Sequence, residues 1–213
     1  MNFMERYKKI RQAGLELNHK MLDLFVTREV IDDSARLLGI LQGGTLAFDR
    51  EEEMSVFADF VLHEYRLNGR KAVERYREEI GGEDEVEEEI LASLPLAHTS
   101  LFKVVAVSGN TIFLKDLLGD EEKFIELTEI SFSRTATPGS LIFTRIVPFK
   151  DFNITSGVSF VFQGRLLNLL IRKYRKMRRK INTESSSMKR FISFFRLNRK
   201  YGEEIMYREF RRR

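Results

Sequence analysis

The chain has 213 residues, of which 43% are hydrophobic and 32% charged, and its formal net charge is +4. This composition is sufficient to bury a sizeable core in one large domain or two small ones, which excludes a disordered chain. The chain contains no cysteine, which excludes disulfides, thiol catalysis and every cysteine-based zinc or iron–sulfur site.

The N-terminal sequence MNFMERYKKIRQAG lacks the apolar stretch that a signal peptide requires. No apolar run elsewhere reaches the roughly 18 residues that a membrane-spanning helix needs. We therefore expect a protein without a transmembrane segment that is located in the cytoplasm.

Apolar residues at three- and four-residue intervals predict a helix over residues 3–26. Thr27 is placed to begin a second helix, which we predict to run to the Gly43-Gly44 break. Asp49, three residues before Glu52, has the spacing of a capping box and predicts the start of a third helix.

The third helix is predicted to end at Asn68-Gly69, and a fourth follows in the sequence RKAVERYREEI, ending at Gly81-Gly82. The sequence EDEVEEEILASLPLA predicts a fifth helix, because acidic residues at its start favour the helix dipole. Residues 1–99 are therefore predicted to form a helical N-terminal region.

From Leu101 onwards the pattern is that of short strands joined by tight turns. Ser108-Gly109-Asn110 is a hairpin signal, since Gly and Asn tolerate the positive φ of a tight turn. Five strands are predicted, with the sequences LFKVVAV, TIFLKDLL, KFIELTEI, SLIFTRIVPF and GVSFVFQ. We predict a small five-stranded β-barrel of the SH3-like or OB-like type over residues 100–163, because closure removes exposed strand edges. The fold class is then α+β.

Residues 164–213 are predicted to form basic helices, a C-terminal arm that includes the polar linker INTESSS and ends in a frayed Arg211-Arg212-Arg213. Residues 165–213 contain 17 Lys or Arg and 4 Asp or Glu, a net charge of +13, whereas the rest of the chain carries −9. Seven of these cations lie in the nine residues 172–180, RKYRKMRRK. Such asymmetry predicts contact with an external polyanion or with the chain's own acidic half.

Lysine and arginine on a helix neutralise phosphates and release counterions, which gives affinity without sequence preference. The predicted nucleic-acid-binding residues are therefore the cations of the C-terminal helices: Arg172, Lys173, Arg175, Lys176, Arg178, Arg179, Lys180, Lys189, Arg190, Arg196, Arg199 and Lys200. Aromatic residues of this region are placed either to stack on unpaired bases or to pack inside the protein. We expect packing, because apolar residues at helical spacing usually face a core: Tyr174, Phe191, Phe194 and Phe195.

The sequences FADFVLHEYRLNGRKAVERY and LFKVVAVSGNTIFLKDLLGDEEKFIEL, with TPGSLIFTRIVPF and SGVSF, resemble a module of uncharacterised bacterial and archaeal proteins that often carry a SEC-C zinc motif. The similarity covers roughly residues 54–163. It is carried by Asp59 in an aromatic helix, by Gly69, by Glu74-Arg75-Tyr76, by residues 115–118 (KDLL) and by a Pro-Gly turn before Leu141. The resemblance implies a fold module and no activity, and the zinc-binding motif itself is absent.

The residues offer little for catalysis or metal binding. HEYRL at 63–67 lacks the second histidine of a zincin, although Asp59 and His63 lie four residues apart and Asp32-Asp33 would add oxygen ligands. No phosphate loop, GxGxxG or Gly-x-Ser-x-Gly motif is complete. The acidic runs Glu51–Glu53 and Glu83–Glu89 are expected to be solvated surface. We therefore predict no catalytic residue, no metal and no cofactor.

The resulting hypothesis is a non-catalytic, RNA- or ribosome-associated protein. The alternative is a protein-interaction scaffold, with a protein partner or as a homo-oligomer, whose basic arm docks on acidic helices of itself or of a partner. Contact with a membrane surface is a further option, since MKRFISFFRLNRK has the composition of an interfacial helix. An enzyme would require a bound metal or a deep pocket around Asp59 and His63.

Overall fold

The structure is a computed structural model that describes residues 2–119 and 124–203. It contains both helices and a sheet, which confirms the α+β class. In the described ranges, no helix is both long enough and apolar enough to cross a bilayer.

Two helices open the chain. Helix α1 (Phe3–Phe25) begins at Asn2, whose side chain accepts hydrogen bonds from the backbone of Met4 and Glu5, and helix α2 (Arg28–Leu38) is capped by Thr27 as predicted. The predicted extension of α2 to Gly43-Gly44 is wrong. Gly39, with φ of 81°, ends the helix in the left-handed conformation that glycine adopts without strain.

A two-stranded hairpin follows, formed by β1 (Leu41–Gln42) and β2 (Thr45–Leu46). Gly43 and Gly44 form its turn, with φ of 57° and 79°. The glycine pair is therefore a hairpin turn and not a helix end, because two consecutive positive φ angles are what a tight two-residue turn requires.

Helix α3 (Glu53–His63) starts later and ends earlier than predicted. Asp49 is not its N-cap; the Asp49 backbone N–H donates to the Glu53 carboxylate instead. Helices α4 (Ala72–Glu79) and α5 (Glu85–Ser93) occupy the predicted places, and a single 3₁₀ turn, Leu94–Leu96, replaces the end of the fifth predicted helix.

The five predicted strands are present as β3 (His98–Ser108), β4 (Thr111–Asp116), β5 (Phe124–Thr128), β6 (Leu141–Pro148) and β7 (Asn153–Phe162). Their hydrogen-bonded order is β3-β4-β5-β7-β6, and pairing of β6 with β3 closes the sheet. Sequence analysis missed the start of β7 and the short helix α6 (Ile130–Ser133) between β5 and β6. Likeness of this closed sheet to the SH3-like or OB type stays a prediction.

Two helices complete the described chain, α7 (Leu167–Met177) and α8 (Ser186–Tyr201). The three phenylalanines of α8 are almost inaccessible, since Phe191, Phe194 and Phe195 are at most 1% exposed. Phe194 stacks on Phe143 of β6 with ring centroids 4.4 Å apart. The expected packing of these aromatic residues is confirmed, so α8 lies in the core and does not project as an arm.

Buried apolar residues form three groups. One group fills the inside of the closed sheet, a second lies between α1, α4, α5 and the ends of β6 and β7, and the third joins α2 and α3 to the sheet, α7 and α8. The third group thus contains residues from all three regions predicted along the chain, while the proposed boundaries at residues 99 and 163 stay a prediction.

A buried ion-pair network lies where these parts meet. Arg145 of β6 is 4% exposed and donates to the carboxylates of Asp59 (3.0 Å) and Glu64 (2.8 Å), at either end of the last turn of α3. The same oxygen of Glu64 accepts from the hydroxyls of Thr99 on β3 and Ser187 on α8, each at 3.0 Å. One carboxylate therefore connects α3, two strands and α8.

The strands are irregular at this point. Pairing between β6 and β7 shifts between Thr144 and Ile146, so that Ser156, Gly157 and Val158 of β7 have no register partner. Gly157 has φ of 104°, which only glycine adopts readily. Bulges of this kind redirect side chains, and here the irregularity coincides with Arg145.

The network predicts a large loss of stability when its cation is removed. Replacing Arg145 with Leu leaves two buried carboxylates without a counter-charge, so the free energy of unfolding is expected to fall by about 3–5 kcal/mol. Urea unfolding followed by circular dichroism measures this change.

The matched control is Arg70→Leu, because Arg70 also faces two carboxylates but is 51% exposed. Its loss is expected to cost less than about 1 kcal/mol. Equal costs for the two variants would show that the Arg145 network does not stabilise the fold.

Candidate anion-binding surface

The seven cations of residues 172–180 lie on α7 and in the turn directly after it, and are called here the α7 surface. Six are exposed to solvent and Lys173 is half-buried. Arg172 and Lys176 lie four residues apart on α7, which places them on the same side of the helix, about one turn or 5.4 Å apart. Four of the seven cations therefore lie on α7, and Arg178, Arg179 and Lys180 lie in the turn that follows it.

The opposite side of α7 holds the helix against the protein. Leu170 is fully buried and Tyr174 is 6% exposed, and the Tyr174 ring lies 5.3 Å from that of Phe194. After the helix, Ile181 is also buried and fixes the end of the basic segment. The cations are thus held by a packed apolar face.

In the described ranges, the ion pairs of the protein involve other cations than these seven. Two members of the α7 surface contact rings instead. The Lys173 ammonium lies 5.6 Å from the centre of the Tyr201 ring, and the Arg178 guanidinium lies 5.7 Å from that of Tyr174. The α7 surface therefore carries uncompensated charge within the part of the chain that the structure describes.

This concentration of charge is unfavourable for an isolated helix. Like charges three or four residues apart destabilise a helix by about 0.2–0.5 kcal/mol for each pair. Arg175 and Lys176 lie in the last turn, where their interaction with the helix dipole offsets part of this destabilisation. A bound anion would relieve the remaining repulsion.

The five predicted binding residues on α8 are placed differently. Arg190 donates to the backbone carbonyl oxygen of Thr99, and Arg196 donates to that of Leu37 at 2.8 Å. Burial lowers the pKa of Arg196. Lys189 is half-buried and Lys200 is exposed. Arg190 and Arg196 are therefore engaged by groups of their own chain, unlike the exposed cations of the α7 surface.

Arg199 is committed to acidic residues of its own chain. Its guanidinium donates to Glu53 at 2.6 Å and 2.8 Å and lies 3.3 Å from Asp49. Hydrogen bonding to Glu53 raises the pKa of Arg199. Arg199 of α8 thus pairs with two acidic residues of its own chain, the kind of contact that the alternative hypothesis describes.

Most residues of the acidic runs are exposed as predicted, but the prediction is wrong for Glu53 and Glu87, which are buried. Glu53 is 2% exposed because it accepts from Arg199, and Glu87 is 6% exposed because it pairs with Lys20 at 2.8 Å. Arg6 of α1 pairs with Glu89. Glu87 and Glu89 of α5 therefore pair with cations of α1, while Glu53 of α3 pairs with a cation of α8.

The pair Asp59 and His63 lies on the buried side of α3. Burial acts to raise the pKa of Asp59, but the charge of Arg145 outweighs it and the pKa is lowered. Burial lowers the pKa of His63 to about 4, so the imidazole is neutral at pH 7. In the described ranges no group of three or more His, Asp or Glu residues is arranged to hold a metal ion.

Sequence reasoning missed Arg145 and Glu64, although both had a signal. Arg145 is the one charged residue within the apolar strand sequence LIFTRIVP, and Glu64 directly follows His63. A charge inside an apolar strand indicates either an edge or a buried ion pair.

Comparison with known proteins identifies the family. A model of the family of unknown function DUF7986 matches residues 1–208, nearly the whole chain, and the protein belongs to that family. Neither the curated proteins nor the solved structures give a match. The resemblance to SEC-C-associated modules stays a prediction.

The neutral state of His63 predicts a pH dependence of stability. Its pKa is about 6.5 in the unfolded chain and about 4 in the folded one, so the unfolded state binds more protons between these values. The free energy of unfolding is expected to fall by roughly 2–3 kcal/mol between pH 7 and pH 4.5. Asp59, Glu64, Lys71 and Arg145 face the ring, and the lowered pKa of Asp59 places its titration below this window.

Urea unfolding at several pH values measures this slope. The variant His63→Phe is expected to lose most of it, whatever its absolute stability. The exposed His19, replaced by Gln, serves as the control and should keep the slope. A wild-type slope that survives in His63→Phe would contradict the assignment.

Proposed function

We propose that this protein is a non-catalytic RNA-binding protein, free-standing or ribosome-associated, that binds phosphates through the α7 surface. The observation that carries the proposal is a contrast between two adjacent helices. Arg190, Arg196 and Arg199 of α8 donate to groups of their own chain, whereas the α7 surface has no ion pair with a described residue. Charge in excess of what the fold uses is what a polyanion-binding surface requires.

Affinity would come from counterion release. Each phosphate neutralised on single-stranded nucleic acid contributes about −0.7 to the slope of log affinity against log salt. Five to seven engaged cations would give a slope of about −3.5 to −5. Binding by this mechanism is tight at low salt concentration and weakens as the salt concentration rises.

The proposed binding has no sequence preference. The four aromatic residues that sequence analysis considered for base stacking are in the core, none more than 6% exposed. Arginine and lysine contacts to phosphates position a nucleic acid without reading bases. The α7 surface is suited to recognise charge and shape rather than a base sequence.

Location and fold type belong to the same proposal. We place the protein in the cytoplasm, where RNA and ribosomes are available to it. The closed sheet is proposed to be of the SH3-like or OB type, a fold class that often supports RNA or protein contacts, and this step is an analogy between folds.

The second candidate function is a protein-interaction scaffold. It is favoured by the contact of Arg199 with Glu53 and Asp49, which is the kind of pairing that docking on acidic helices would use. In this case the α7 surface would bind an acidic protein surface, including one on a second copy of the chain. RNA would then compete only weakly with the acidic protein partner for the α7 surface.

Removal of four charges from the α7 surface tests the proposal. The variant replaces Arg175, Lys176, Arg178 and Arg179 with Gln, which keeps helix propensity nearly constant. The probe is a fluorescein-labelled 20-residue oligouridylate, and its affinity is measured by anisotropy at several salt concentrations. We expect at least about a tenfold loss of affinity in low salt and a slope smaller by about 2–3.

A charge-matched control separates a localised surface from general attraction. It replaces four exposed cations outside the α7 surface, Lys9, Arg77, Lys103 and Arg134, with Gln. Its affinity is expected to stay within about threefold of wild type, because the proposed contacts are made by the α7 surface and salt screens exposed charges elsewhere. Equal losses in both variants, or none in either, would contradict the proposal. A stable oligomer in light scattering that takes up no oligouridylate would favour the scaffold.

A further inference from the structure

A cavity of about 700 Å³ lies on another part of the molecule. Its walls come from α1, from the end of α3, from α5 with the turn that follows it, from α6 and from the irregular segment of β7. This volume is within the range of pockets that hold small organic molecules. It shares no residue with the α7 surface.

One polar wall is formed around the buried carboxylate of Glu129. Its oxygens accept from the hydroxyls of Tyr7 at 3.4 Å and Thr155 at 3.2 Å, and the Arg11 guanidinium lies 3.7 Å away. Arg11 also donates to the backbone carbonyl oxygen of Thr155 at 2.7 Å. The charge of Glu129 is therefore already compensated inside the wall.

His63 forms a second polar wall and has different properties. The residue is only 4% exposed and lines the cavity, yet its ring makes no hydrogen bond with any residue in the ranges 2–119 and 124–203. A neutral imidazole carries one N–H donor and one nitrogen acceptor. Because the ring lines the cavity and makes no such bond, its nitrogens are available to a hydrogen-bonding ligand there.

Gly14 supplies an independent observation. It lies in the middle of the 23-residue helix α1 and lines the cavity, where a Cβ atom would meet no other atom within 4 Å. Glycine is unfavourable inside a helix, and here neither packing nor a positive φ requires it. The absence of a side chain at Gly14 therefore leaves space open along this wall of the cavity.

The remaining walls are largely apolar. They include side chains from α1, from α5 and the following turn, and from β6 and β7, namely Ile10, Leu15, Ile90, Leu94, Val147 and Ile154. Lys8 also lines the cavity and is exposed to solvent, where water screens its charge. The interior therefore offers apolar surface and an unused imidazole, but no unpaired charge.

We propose that this cavity binds a small uncharged organic molecule, whose apolar body packs between α1 and β7 and whose hydroxyl or amide group hydrogen-bonds to His63. A charged ligand is disfavoured because Glu129 is compensated by Arg11 and the histidine offers no charge. Asp59 lies four residues before His63 on α3 and is held by Arg145, so the buried ion pair supports the base of the site. The site is separate from the proposed RNA binding and does not depend on it.

Two matched probes test the ligand class. 2-Naphthol is uncharged at neutral pH and carries a hydroxyl, and 2-naphthoate has the same ring system with a negative charge. Isothermal titration of the full chain is expected to show binding of 2-naphthol and at least about tenfold weaker binding of 2-naphthoate. No binding of 2-naphthol at millimolar concentration, or binding of 2-naphthoate that is equally tight, would overturn the proposal.

Two variants locate the site. In Gly14→Leu the added side chain is expected to occupy part of the cavity and to reduce the affinity for 2-naphthol by at least about tenfold. Helix stability should not fall, because leucine has a higher helix propensity than glycine. Its control, Glu16→Leu, adds the same side chain to α1 outside the cavity and should bind as wild type. Binding that is unchanged in Gly14→Leu would overturn the assignment of the cavity.

His63→Phe tests the hydrogen bond and is expected to reduce 2-naphthol affinity about tenfold. Unchanged affinity in a folded His63→Phe protein would overturn the role of the imidazole. If this variant does not fold, the probe pair supplies the test instead: the preference for 2-naphthol over 2-naphthoate must disappear in Gly14→Leu.

Discussion

One buried cation constrains the whole arrangement. Arg145 lies inside the fold with Asp59 and Glu64 around it, and removing charges from water costs several kcal/mol for each ion unless the partners are well placed. Coulombic attraction to the two carboxylates outweighs burial and raises the pKa of Arg145. The helix that carries the carboxylates and the strand that carries the arginine are therefore fixed relative to each other.

The ion-pair network of Arg145 also positions the C-terminal helices. Ser187 and Thr99 meet at the same Glu64 oxygen, which places the start of α8 against β3. Once α8 lies there, its phenylalanines complete the core over β6 and β7 and its arginines face groups of the same chain. Helix α7 then packs on α8 through Tyr174, and six of the seven cations of the α7 surface are exposed to solvent in the part of the chain that the structure describes. The arginines of α8 contact groups of their own chain and the cations of the α7 surface are exposed because of how the two helices pack, not because of their composition.

Much of the fold could be predicted from local sequence. Helix α1, the Thr27 cap and the hairpin at Gly109 were predicted because each depends on residues near in sequence. The end of α2 was not, since Gly39 and Gly43 both have positive φ and only the tertiary context decides which one stops the helix. The start of β7 and the irregularity at Gly157 were missed because their pairing depends on a strand that lies elsewhere in the sequence.

The candidate sites show the same division. The density of charge in residues 172–180 is visible without a structure, but which of the twelve predicted cations remain outward is not. Arg196 and Arg199 look like Arg175 and Arg179 in sequence, and contacts more than 140 residues apart distinguish them. The cavity at His63 was likewise invisible, because its walls come together only when α1 packs beside β7.

Lysine protection tests the division of cations most directly. The protein is acetylated briefly with and without the oligouridylate, and the extent of modification at each lysine is read by mass spectrometry. The account predicts protection of Lys176 and Lys180 by RNA, with no change at the exposed Lys9 and Lys150. Protection spread evenly over all four lysines, or absent from Lys176 and Lys180, would contradict it.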